Sequence, residues 1–127
     1  MSIIYIPYGK HVLLDLFDLQ NSSLLNDHKR LDKIFKDAIK CSGATLIKDQ
    51  HHQFEPEGLS GAYILSESHL TYHTYPEFGH LFLDIFTCGS HCDPSKAKDY
   101  IMEQFGITAA DIDKYRTNEI ERGVLPV

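Results

Sequence analysis

Between Gly58 and Gly89 the chain gathers Ser60, Glu67, Ser68, His69, His73 and Cys88 around short apolar runs. Packing alone would not select that mixture. Serine hydroxyls attack carbonyls once activated, an imidazole titrates near neutrality and moves protons, and a thiol is a weak acid that keeps its proton yet can release it. The same residues could serve a metal instead. His69 and His73, four apart in a strand, share a face, and Cys88-x-x-His91-Cys92 adds thiolate and imidazole. That spacing matches no standard zinc module. Each residue also has a plainer role: Ser68 as a polar strand residue, His73 facing solvent or filling a hydrogen bond, Cys88 as a small buried apolar group. Phe54 and Tyr75 would then be core aromatics, and Glu77 a solvated turn residue.

The elements that must carry these groups are legible from pattern. His11-Val12-Leu13-Leu14-Asp15-Leu16-Phe17 after Gly9 predicts a first strand. Asn21, Ser22 or Ser23 is expected to cap a helix whose apolar positions Leu24, Leu31, Ile34, Phe35, Ala38 and Ile39 recur at three- and four-residue spacings, with Gly43 as its stop. Ala44–Ile47 predicts a second strand, and Gly58–Gly61 a flexible lead into a third at Ala62–Ser66. A fourth runs through Leu70–Thr74, stops at Tyr75-Pro76-Glu77-Phe78-Gly79, and is followed by a fifth at His80–Cys88. Asp93-Pro94 opens a second helix, Ser95–Phe105, and Tyr115–Glu121 ends the pattern as a last strand. The order β-α-β-β-β-α-β without regular alternation predicts an α+β, two-layer sandwich: a mainly antiparallel β-sheet with helices on one face. Strand alternation sets Ser68 and His73 on opposite faces, because five is an odd offset.

With 127 residues the chain is expected to form a single domain over residues 1–127. Its 18 acidic against 12 basic residues give a net charge of −6, and the lysines are scattered, so nucleic acid is not the expected partner. Three cysteines suggest no disulfide framework, and neither a signal peptide nor a long apolar span is expected at Met1–Pro7. These features read as a soluble cytoplasmic protein with free thiols and no membrane partner.

The ordered set Gly58-Leu59-Ser60-Gly61, Glu67-Ser68-His69-Leu70-Thr71, His73 and Phe86-Thr87-Cys88-Gly89 resembles the small prokaryotic-type S-adenosylmethionine decarboxylases. The likeness runs from about Gly9 to Phe105, and Gly9-Lys10-His11, Ser42-Gly43-Ala44-Thr45 and Glu121-Arg122-Gly123 also look like family positions. It implies a covalent pyruvoyl cofactor made from Ser68 by self-cleavage after Glu67, giving a β chain 1–67 and an α chain 68–127. By the same resemblance Ser60 would hydrogen-bond the scissile carbonyl, His73 would remove the α-hydrogen of the ester, and Cys88 would return a proton to the substrate after carbon dioxide leaves. Phe54, Tyr75 and Glu77 match the positions that stack adenine and hold the ribose hydroxyls; Tyr75 stands where the family has tryptophan. The family pattern further implies a homodimer of processed protomers with Phe54 reaching across, no metal, and a place in spermidine synthesis. Related scaffolds decarboxylate arginine or ornithine, which is the alternative; a zinc-binding or non-catalytic regulatory protein is the remote one.

Overall fold

The computed structural model describes residues 7–123. Six strands form one antiparallel sheet: β1 (Gly9–Leu16), β2 (Leu46–Gln53), β3 (Leu59–Leu65), β4 (Ser68–Tyr75), β5 (His80–Cys88) and β6 (Arg116–Arg122), in the order β2-β3-β4-β5-β1-β6. Strands β2 to β5 are a meander, and β1 lies between β5 and β6. Two helices, α1 (His28–Ser42) and α2 (Pro94–Gln104), pack against each other and over one face. The expected α+β sandwich is the observed architecture.

Alternation along each strand explains which face is covered. Val12, Leu14 and Leu16 of β1, Leu70 and Tyr72 of β4, and Leu81, Leu83 and Ile85 of β5 are buried, while their neighbours in sequence are less so. Against them α1 lays Leu31, Phe35, Ala38 and Ile39, and α2 lays Ala97, Ile101 and Met102. No helix among the described residues is long and apolar enough to cross a membrane.

Three elements differ from expectation. Leu24–Asn26 is a separate 3-10 turn, and α1 starts four residues later than Leu24, capped by Asp27, whose carboxylate accepts the Arg30 N–H; the apolar pattern ran through a break because Leu24 and Leu25 are buried in the turn. Strand β2 continues to Gln53 through six polar residues. It is an edge strand, and its helix-side His51 is held by Tyr72 Oη at 2.8 Å and Asp49 at 3.2 Å rather than by apolar packing. Gly58–Gly61 is largely strand, not a flexible lead. Gly61 is glycine because a Cβ there would stand 2.4 Å from His51 Nδ1 and 2.5 Å from the Tyr72 ring. Gly61→Ala should therefore destabilise the protein by about 1–3 kcal/mol through overpacking, read as a lower thermal midpoint; an unchanged midpoint would contradict that packing.

Candidate active site

Strand β4 follows β3 through a two-residue turn, Ser66-Glu67, so the Glu67–Ser68 peptide is the turn's exit. Several contacts fix it. The Glu67 carbonyl accepts the Cys88 N–H at 3.2 Å, Ser66 N–H donates to the Thr45 carbonyl at 2.9 Å, and the Glu67 carboxylate accepts from Thr45 N–H at 3.0 Å and His91 Nε2 at 3.1 Å. The Thr45 hydrogen bond, then that of His91, hold the Glu67 carboxyl down to about 2. Ser68 Oγ lies 3.8 Å from Cys88 Sγ. Ser68, Cys88, Glu67, Tyr8 and His91 line an open cavity of about 390 Å³ at this end of the sheet.

A second cluster occupies the other end of β4. Ser60 and His73 are directly paired across β3 and β4, and Ser60 Oγ and His73 Nδ1 share a 2.6 Å hydrogen bond. Phe54, Tyr75 and Glu77 join them around a cavity of about 360 Å³. Phe54 and Tyr75 are 46% and 40% exposed, each leaving part of its ring open while Phe54 packs against His52 and Tyr75 against Phe82. The structure thus unites Ser68 with Cys88, and Ser60 and His73 with Phe54, Tyr75 and Glu77. It does not unite the two groups: five residues of strand put Ser68 and His73 roughly 16 Å apart along one chain.

Between the clusters, on the sheet face opposite the helices, sits a polar network that pattern reading missed. Asp84 accepts from His11 Nε2 at 2.7 Å, from His69 Nε2 at 2.9 Å and from Thr71 Oγ1. Arg122 Nη1 lies 3.3 Å from His11 Nδ1, so that nitrogen accepts and His11 Nε2 carries the hydrogen given to Asp84. Burial pushes the Asp84 carboxyl up, but the hydrogen bonds from Thr71, His11 and His69 outweigh it and hold it below its ordinary value. An acid in the apolar run of β5 was the available signal. The five residues His69, His73, Cys88, His91 and Cys92 do not gather at one point: His69 turns to Asp84, His73 to Ser60, Cys88 to Ser68 and His91 to Glu67.

The family profile described as S-adenosylmethionine decarboxylase matches residues 10–123. The chain belongs to that family. A protein of Geobacillus sp. strain WCH70 named S-adenosylmethionine decarboxylase proenzyme is 41% identical over 119 residues, spanning 94% of this chain and 90% of its own length. One of the same name from Methanococcus maripaludis strain C7 is 38% identical over 119 residues, spanning 94% and 93%. The crystal structure of the adenosylmethionine decarboxylase of Aquifex aeolicus VF5 superposes with a TM-score of 0.81 at 28% identity, over 94% of both chains.

A folded-state value of about 2 for Glu67, against an ordinary 4.5, means that its contacts stabilise the turn above the ordinary value and fade as pH falls towards 2. In uncut Ser68→Ala protein the Glu67 side-chain carboxyl resonance should titrate with a midpoint near 2, and His91→Ala should move the midpoint upward. A midpoint at the ordinary value would contradict the anchoring.

Proposed function

We propose that this chain is the proenzyme of an S-adenosylmethionine decarboxylase, that it cuts itself between Glu67 and Ser68, and that its pyruvoyl group arises from Ser68. The observation that carries the reading is the turn itself: the Ser68 hydroxyl follows a carbonyl that already accepts the Cys88 N–H, beside the Cys88 thiol. That N–H favours charge developing on the Glu67 oxygen when Ser68 Oγ attacks its carbon. Collapse breaks the amide and leaves an ester with a free amine on residue 68. Removal of the α-hydrogen by His73 then expels the Glu67 carboxylate, ending chain 1–67. The resulting enamine becomes an imine, and water releases ammonia to leave the ketone at the head of chain 68–127.

The pyruvoyl ketone, once formed, supplies the electron sink that no side chain offers for loss of carbon dioxide. The remaining work falls to the chain's own residues. Phe54 and Tyr75 offer flat faces for adenine, Glu77 accepts the ribose hydroxyls, and the Cys88 thiol delivers the proton that replaces the lost carboxylate. The product is the aminopropyl donor for spermidine synthesis.

A complete site needs both clusters, and we place them on different protomers. Two observations support a homodimer. Each protomer presents the two halves at opposite ends of β4, and the uncovered sheet face exposes Leu13, Ile64 and Ile120, among 37–48% accessible, with Phe82 and Phe86 between them. A two-fold pairing sets Ser68 and Cys88 of one protomer against Ser60, His73 and Phe54 of the other, and makes two equivalent sites.

Wild-type protein should resolve into chains 1–67 and 68–127 by intact mass and release carbon dioxide from S-adenosylmethionine, not from arginine or ornithine. Ser68→Ala should remain a single chain. Cys88→Ala should still be cut but turn over about 10²–10⁴-fold more slowly, the usual loss for a positioned proton donor. Full-length wild-type protein after long incubation, or full turnover in Cys88→Ala, would refute the assignment.

A further inference from the structure

The loop between β5 and α2 carries two groups that decarboxylation does not use, His91 and Cys92. Gly89, in the left-handed region at φ +92°, turns this loop back so that the His91 ring meets the β3–β4 turn. One ligating atom each from Glu67, His91 and Cys92 then lies within 4.8 Å of the others. We propose that Glu67, His91 and Cys92 form a site for a single borderline-soft divalent cation of the zinc class, seated on the turn that is to be cut.

Ligand chemistry selects the class. A carboxylate oxygen, an imidazole and a thiolate are a zinc-type set, with bonds of about 2.0–2.3 Å and a fourth tetrahedral position open to water. Magnesium and calcium want several oxygens, and here one oxygen of the only carboxylate is already taken by the Thr45 N–H. The His91 ring is 62% exposed at its side chain, so the ion has an open approach.

Two other groupings of similar composition are less suited. At His11, His69 and Asp84, both nitrogens of His11 are engaged, by Asp84 and Arg122, whereas His91 has one engaged, with Glu67. At His28, Asp32 and His51, both nitrogens of His51 are engaged, by Tyr72 and Asp49.

A cation here ties Glu67 to the loop after β5. Glu67 is the residue on the acyl side of the cut, so the turn must reshape as the amide becomes an ester and the new chain end withdraws. Zinc therefore restrains maturation. This consequence rests on the cleavage proposed above; the metal site does not.

The site is tested on tag-free Ser68→Ala protein stripped with chelator and titrated with Zn²⁺ by calorimetry and with Co²⁺ by absorption. One ion per protomer is expected, with a thiolate-to-cobalt charge-transfer band. Cys92→Ser should abolish the band, and either Cys92→Ser or His91→Ala should weaken Zn²⁺ binding by about tenfold or more; Cys41→Ser should change neither. Absence of stoichiometric binding, or a band that survives Cys92→Ser, overturns the site. On wild-type precursor, Zn²⁺ should slow the appearance of the two chains by about tenfold, the effect of a decade of preference for the uncut turn. Binding without slowing overturns the restraint alone. Cutting absent even in chelator instead refutes the cleavage reading.

Discussion

The register of β4 between β3 and β5 is the constraint on which the rest depends. Ser60 faces His73 on one side, and Ser68 faces Thr87 on the other, one residue before Cys88. Slipping β4 by one residue would turn Leu70 and Tyr72 away from the helices and expose them, so burial of those side chains holds the register. The same energy that builds the core thus fixes Ser68 and the Cys88 thiol at one end of the strand and a histidine–serine pair at the other. A single protomer cannot bring them together without dismantling its own sheet.

The acid at the centre of the open face is already partnered. Asp84 is satisfied by His11, His69 and Thr71, and Arg122 spans from His11 to the ring of Phe86 at 5.2 Å. A carboxylate with its partners in place loses less on being covered than an unpaired one. The proposed dimer therefore covers an apolar face through whose centre runs a satisfied polar network.

How much of this the sequence disclosed follows from what kind of signal each element leaves. Strand β5 was readable residue for residue because both its ends are marked, by Gly79 and Gly89, and its core face strictly alternates. Strand β2 was cut short because an edge strand held by His51, Asp49 and Tyr72 has no apolar period to see. The residues of the two clusters were named by the family resemblance that the Glu67-Ser68 motif anchors. The odd offset between Ser68 and His73 predicted opposite faces, whereas the division described above is one of length along β4. The anchoring of Glu67 by Thr45 and His91 was not visible, since it joins positions 22 and 24 residues away through a turn and a loop whose fold no local pattern specifies.

Division of the site between two chains is open to direct test by mixing two inactive variants. Ser68→Ala and His73→Ala each lack one half, so neither should be cut when expressed alone. Expressed together they form mixed dimers in which the His73→Ala chain supplies Ser68 and Cys88, and its partner supplies Ser60 and His73. Intact mass of the mixture should show cleavage of the His73→Ala chain only, in up to the fraction of mixed dimers formed. If the mixture stays uncut although mixed dimers are present, the site is not shared as described.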